Sequence, residues 1–172
     1  MKRRKYGPAM LWKICYHEAG HAVANHDLGY DFVDIEVFDR PTDDCGGRTN
    51  YDPDKMIKRL AEGTINLAGP TAECHYLKLR FKKPNLVAIW LTHGHTDQEQ
   101  AFANAKGLAR RRNAVLWGRA DDDLGYEEFF TEMLRDAEQM VARRWLDIGR
   151  VAVALFERRR LSHAEFLDVL AP

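Results

Sequence analysis

The feature that most constrains this chain is the motif His-Glu-Ala-Gly-His at positions 17–21, inside a run with helical periodicity. Apolar residues recur at spacings of three and four through the segment 9–28, which predicts a helix. Residues four apart on a helix project from the same face, so His17 and His21 can bind one metal ion. Glu18 lies about 100° further round the helix, where it can reach a water on that ion without binding the metal.

These residue types suit a hydrolytic metal centre. Two neutral imidazoles hold Zn²⁺ and leave positions for a third ligand and a water, whose pKa falls to about 7. A neighbouring carboxylate can take the proton of that water, so the motif predicts one Zn²⁺ per chain with Glu18 as general base. Gly20 costs about 1 kcal/mol in a helix relative to Ala, which predicts that another element packs closely at that point.

The motif supplies only two ligands, and such a site needs a third from elsewhere in the chain. The downstream residues with suitable side chains are Glu73, His75, His93, His95 and Asp97. The stretch 93–97 is the densest in ligand types and directly precedes a predicted helix, whose backbone can fix side chains there. Spacing alone leaves the choice among these residues open.

Composition excludes several classes of function. The chain of 172 residues has 26 basic and 26 acidic side chains, so no net charge draws it to nucleic acid or to anionic membranes. The arginine runs 110–112 and 158–160 are interpreted as solvated helix faces. Three cysteines without paired spacing indicate a reducing, cytoplasmic setting. With no apolar run of about 20 residues, we expect no membrane span, and we interpret residues 1–172 as one domain.

The periodicity predicts a mainly α fold with a small β hairpin beside the zinc helix. Strands are expected at 33–38 and 48–51, joined by a loop over 39–47. A hairpin beside a peptidase site can bind substrate backbone by strand addition or can be purely structural. A second helix is expected to begin at Asp52-Pro53 and to be either kinked or briefly broken at Gly69-Pro70.

The second half of the chain is predicted to be helical. A helix is expected over 97–117, and another begins at Glu127 and continues past a break near Gly149. Ser162 and Glu165 form a capping box that opens a last short helix ending at Leu170. The apolar segment 86–91 fits either a helix or a buried connector.

Four segments carry a resemblance to a known family. In chain order they are the zinc-helix segment 16–22 (Tyr-His-Glu-Ala-Gly-His-Ala), the segment 66–73 (Asn-Leu-Ala-Gly-Pro-Thr-Ala-Glu), the segment 92–97 (Thr-His-Gly-His-Thr-Asp) and the C-terminal stretch 154–170. Together they resemble the peptidase domain of FtsH-type AAA proteases over almost the whole chain. That resemblance implies a helical zinc metalloendopeptidase domain that cleaves unfolded or peptide substrates.

The resemblance also assigns roles to single residues. It implies that His17, His21 and Asp97 are the zinc ligands, that Glu18 is the general base, and that Glu73 lies beside the site. His95 and Thr96 replace the residues just before the aspartate of the family. His93 and His95 are interpreted either as an extra ligand or oxyanion donors, or as merely solvated side chains.

The chain also departs from the family. Pro70 stands where the family has arginine, and the sequence contains no Walker-type phosphate-binding motif. The family joins this domain to an ATPase module and commonly assembles as a ring. We therefore expect either a free-standing peptidase acting on unfolded chains or a peptidase served by a separate unfoldase, with homo-oligomerisation left open. The alternatives are a metal-bound interaction module with negligible turnover and a metal-dependent hydrolase of non-peptide amides.

Overall fold

The computed structural model of the protein describes residues 5–42, 45–51, 58–83, 85–91 and 94–171. It is mainly helical with a small three-stranded antiparallel sheet, which confirms the predicted fold class. The elements are α1 (Pro8–Asp27), β1 (Asp34–Thr42), β2 (Cys45–Asn50), α2 (Arg59–Arg80), α3 (Leu86–Leu91), α4 (His95–Trp117), α5 (Tyr126–Arg143), α6 (Trp145–Arg158), β3 (Arg160–Ser162) and α7 (His163–Leu170).

Helices α1 and α2 form the centre of the fold. α1 is buried along most of its length, between α2, α6 and the β1–β2 hairpin. A Cβ at Gly20 would lie 2.6 Å from the carbonyl oxygen of Ala68 and 2.8 Å from Cβ of Ala72. This confirms the close packing predicted at Gly20, because only a residue without a side chain lets the backbones of α1 and α2 lie so close together. α4 and α5 pack on α2.

The sheet has the strand order β2-β1-β3. Ile35 and Val37 of β1 are 0% and 2% exposed and face the hydrophobic core. Opposite them, Ile35 pairs with Thr49 of β2 and with Leu161 of β3. The third strand was not predicted, because a three-residue strand is too short to show an alternating pattern.

The prediction of a loop over 39–47 is wrong. β1 continues to Thr42 and β2 already begins at Cys45, so the two strands are longer than their patterns indicated. The register between them is irregular between Val37 and Thr42, and Pro41 lies in this irregular part. Proline is tolerated at such a bulge because no ladder hydrogen bond is needed from its nitrogen. The predicted hairpin itself is confirmed.

The second helix was predicted to run onward from Asp52-Pro53. α2 begins at Arg59, and Lys58 before it is extended, with ψ of 137°. Asp52 and Pro53 themselves lie outside the described residues. Of the two alternatives at Gly69-Pro70, the short break does not occur, since α2 continues through Pro70 to Arg80. Apolar packing on both sides of this position outweighs the loss of one helical hydrogen bond.

The break in the long C-terminal helical pattern lies at Arg144, not near Gly149. Arg144 leaves helical geometry (φ −101°, ψ 18°) where Arg143 and Arg144 both pair with Asp27 at the end of α1. No helix-breaking residue marks this position in the sequence, and the ion pairs with Asp27 beside it are evident only in the structure. Gly149 lies inside α6.

Other predicted elements are confirmed. α4 begins within two residues of the expected position, and the segment 86–91 is the short helix α3. Glu165 N donates to Ser162 Oγ and Ser162 N donates to Glu165 Oε2, which completes the capping box of α7. None of the helices in the described part of the chain is long and apolar enough to cross a membrane.

Candidate metal centre and cleft

The helical spacing of α1 brings His17 and His21 to one face, as the sequence predicts. Their rings lie with centroids 4.8 Å apart, and both residues are 7% exposed. Glu18, between them in sequence, is 6% exposed. Three buried titratable side chains on one helix are unusual, because burial of such groups is costly unless they are paired.

Asp97, at the start of α4, completes a cluster with the two histidines. His17 Nε2 lies 3.0 Å from Asp97 Oδ2, and His21 Nε2 lies 3.6 Å from the same oxygen. One ligand atom from each of the three residues lies within 4.8 Å of the other two. The group can therefore hold a metal ion, with His17 and Asp97 brought together from 80 positions apart in the sequence.

The second nitrogen of each imidazole has its own acceptor. His21 Nδ1 donates to the backbone carbonyl of Ile65 at 2.8 Å, and His17 Nδ1 lies 3.3 Å from Glu73 Oε2. In the tautomer with protons on both Nδ1 atoms, both Nε2 atoms can bind a metal ion, and both lie beside Asp97. Metal-binding histidines are typically oriented in this way by a carboxylate or carbonyl. Glu73 is 1% exposed and occupies the position beside the site that the sequence resemblance implies.

The charges in the cluster stabilise one another. Burial disfavours the charged forms of both His17 and Asp97. Hydrogen bonds to Asp97 and Glu73 nevertheless raise the pKa of His17. The nearby imidazoles hold the pKa of Asp97 well below its usual range. Asp97 is therefore ionised at neutral pH, which is the form that binds a metal.

Glu18 faces the same cleft and is held against β2. A Cβ at Gly47 would lie 2.6 Å from Glu18 Cγ and 2.7 Å from the carbonyl oxygen of Glu36, so this point of the hairpin requires a glycine. Burial raises the pKa of Glu18, against the lowering effect of His17 and His21. A carboxylate with a raised pKa is a better proton acceptor near neutral pH.

The cluster lies in a cleft of about 370 Å³. One wall is apolar and consists of Tyr6, Met10 and Ile14. Residues 46–49 of β2 form the rim on the hairpin side, and Asn66 and Thr96 also line the cleft. The centre thus has an open side large enough for part of an extended chain.

The remaining candidate ligands do not join the cluster. His95 is exposed and pairs with Glu99 at 3.4 Å, away from the cleft lining. His75 packs on Trp145, with ring centroids 4.3 Å apart. His93 lies outside the described residues. Among the described candidates, the geometry therefore selects Asp97, with Glu73 in contact with His17.

Several contributors to the site were missed by sequence reasoning. A Cβ at Gly69 would lie 2.3 Å from His21 Nε2, so the imidazole rests directly on the α2 backbone. A Cβ at Gly94 would lie 2.8 Å from Pro70 Cβ, so Pro70 packs under the start of the helix that carries Asp97. The sequence shows the Gly69-Pro70 pair inside a helical pattern. It does not show that Gly69 contacts His21 or that Pro70 contacts Gly94, because these contacts depend on tertiary packing.

Comparison with models of known protein families and with curated proteins gave no match.

Proposed function

We propose that the protein is a zinc-dependent endopeptidase that cleaves unfolded or peptide substrates, with His17, His21 and Asp97 as metal ligands and Glu18 as general base. One observation carries the proposal: both Nε2 atoms are directed to the same Asp97 oxygen while the Glu18 carboxylate faces the same cleft. The sequence resemblance to the FtsH-type peptidase domain supports the same assignment of residues.

The arrangement of the ligands favours zinc. Two imidazoles and one carboxylate, with the histidines four residues apart on a helix and a glutamate between them, are typical of catalytic zinc sites. The separations of 3.0 and 3.6 Å from Asp97 Oδ2 are short enough for one ion to bind all three side chains.

Zinc bound by these residues would lower the pKa of a water and polarise the scissile carbonyl. The Glu18 carboxylate accepts a proton from the attacking water and then delivers it to the leaving amide nitrogen. Gly47 allows this carboxylate to lie close to β2, and therefore beside a substrate that runs along the hairpin. Glu73 and the Ile65 carbonyl keep the imidazoles in one tautomer during this cycle.

The cleft favours an extended peptide as substrate. β2 lies at the end of the strand order and lines the cleft with residues 46–49, so a peptide can run beside it. Extended segments are most accessible in unfolded chains, so the proposed substrate is an unfolded chain, a short peptide or a segment delivered by a separate unfoldase. A cytoplasmic location is part of this proposal, and homo-oligomerisation is left open.

The test compares zinc-loaded wild type with Glu18→Gln on a chemically unfolded protein and on a peptide library. We expect Glu18→Gln to lower kcat by about 10²–10⁴-fold, the usual contribution of a general base. Its zinc content, measured by elemental analysis, should stay at one per chain because Glu18 is not a ligand. Glu138→Gln is the matched control, since this glutamate is exposed on α5.

Equal hydrolysis by wild type and Glu18→Gln would contradict the assignment of the base. No hydrolysis by either protein, together with one bound zinc, would favour the interaction module. Cleavage of small amides but not of peptides would favour the non-peptide hydrolase.

A further inference from the structure

Tyr51 follows directly after β2, and its side chain lines the same cleft as the histidines and Glu18. Its hydroxyl is bonded to Asn25, which lies on α1 one turn after His21 and is fully buried. The phenol is therefore fixed to the same helix that carries the predicted metal ligands. Neither residue has a role in the function proposed above.

The direction of this hydrogen bond follows from the second partner of Asn25. Asn25 Nδ2 lies 2.8 Å from the backbone carbonyl of His21, which can only accept. The nitrogen of the amide must therefore face that carbonyl. The same nitrogen lies 2.9 Å from Tyr51 Oη, so Asn25 donates and the phenol oxygen accepts.

This direction leaves the hydroxyl proton of Tyr51 for another acceptor. Within the described residues, the bond with Asn25 accounts for the hydrogen bonding of this hydroxyl. The bond from Asn25 polarises the phenol and makes its proton a stronger donor. Burial, together with the Glu18 and Asp97 carboxylates, raises the pKa of Tyr51 to about 12, so the proton is retained at neutral pH.

We propose that the Tyr51 hydroxyl donates a hydrogen bond to the oxygen of the scissile carbonyl as that carbonyl becomes tetrahedral. This inference rests on the proposed peptidase function and names a catalytic residue that the family resemblance does not supply. The donor is neutral and stays bound to Asn25, and no covalent bond of Tyr51 changes during the step. A fixed donor of this kind stabilises the charge that develops in the transition state.

Other donors near the cleft fit this role less well. His95, which the sequence suggested, is exposed and pairs with Glu99. Arg48 lines the cleft, but its guanidinium donates to Glu36 at 3.1 Å. Tyr51 combines a free proton with a rigid attachment to the zinc helix.

The experiment uses the zinc-loaded protein and its Tyr51→Phe variant. A cleaved peptide is compared with its phosphinic analogue, whose tetrahedral centre mimics the transition state. We expect Tyr51→Phe to lower kcat by about 10²–10³-fold and to weaken binding of the phosphinic analogue by a similar factor. KM and zinc content should change little. Tyr51 is 39% exposed, so the loss of one hydroxyl should leave the fold intact.

Tyr76→Phe is the control, because Tyr76 stacks on Tyr16, with ring centroids 4.3 Å apart, and does not line the cleft. The role of Tyr51 would be overturned by an unchanged kcat in Tyr51→Phe, or by an equal loss of affinity for the peptide and for its analogue. Either result would leave the peptidase proposal intact. A wild type that binds the analogue no more tightly than the peptide would overturn both.

Discussion

Gly69 supports the candidate metal centre without carrying any functional group. The imidazole of His21 lies against its Cα, so closely that a methyl group there would be 2.3 Å from Nε2. Its backbone is not in the left-handed region, so the requirement for glycine comes from contact and not from conformation. A side chain at this position would push the ring away from Asp97.

We therefore predict that Gly69→Ala weakens zinc binding by about 10–100-fold, the usual cost of disturbing a ligand's support. Chelator competition measures this affinity. Gly149→Ala is the matched control, because Gly149 also lies inside a helix but a Cβ there would meet nothing within 4 Å. The control should bind zinc normally and be more stable by about 1 kcal/mol, from helix propensity alone. Normal zinc affinity in Gly69→Ala would show that the ring can move.

At the scale of elements, Asp34 joins the three strands. It lies on β1, accepts a hydrogen bond from Arg160 of β3 at 2.6 Å, and accepts another from Asn50 of β2. Its side chain is only 7% exposed. Burial disfavours the charge, but the bonds from Arg160 and Asn50 outweigh it and lower the pKa of Asp34. The carboxylate thus stabilises the hairpin that forms one rim of the cleft.

A lowered folded-state pKa means that the stabilisation from Asp34 is complete above its unfolded pKa of about 4. It is then lost as the pH falls through the lower, folded value. Asp34→Asn should therefore lower the free energy of unfolding by about 1.5–3 kcal/mol at pH 6. This difference from wild type should shrink steadily below about pH 4. Urea unfolding of both proteins over this range measures it.

Asp168→Asn is the control for the pH series, since Asp168 is exposed on α7. Its effect at pH 6 should be within about 0.5 kcal/mol. A cost of Asp34→Asn that is the same at pH 6 and at pH 2 would contradict an ionised role for Asp34.

At the scale of the whole molecule, the candidate metal centre connects distant parts of the chain. His17 and His21 come from α1, Asp97 comes from α4, and the supporting Glu73 and Ile65 come from α2 between them. An ion bound only by the folded arrangement stabilises that arrangement as a whole.

We predict that zinc at about 100 times its Kd stabilises the wild type by about 2.7 kcal/mol. For a chain of this size, Tm should rise by about 5–11 °C, and chelator should reverse the rise. Differential scanning calorimetry with and without chelator measures the shift. Asp97→Ala, which lacks one ligand, should show a much smaller shift. An equal shift in both proteins would mean that the ion binds elsewhere.

The features that depend on local spacing could be predicted from the residues alone. The helix carrying His17, Glu18 and His21 follows from periodicity, and the capping box of α7 follows from Ser162 and Glu165. The close approach at Gly20 could also be predicted, because glycine destabilises a helix interior unless close packing requires it. Each of these features involves residues that are neighbours along one helix or strand.

The features that depend on distant contacts follow from the packing of the elements and not from spacing along the chain. That packing brought Asp97 and not His95 to the histidines, although both lie at the start of α4. It placed the helix break at Arg144, where Asp27 of α1 supplies the partner. It also brought Tyr51 to Asn25, and Gly69 to His21. Spacing fixes which residues share a face, but only the packing of α1, α2, α4 and the hairpin fixes what that face meets.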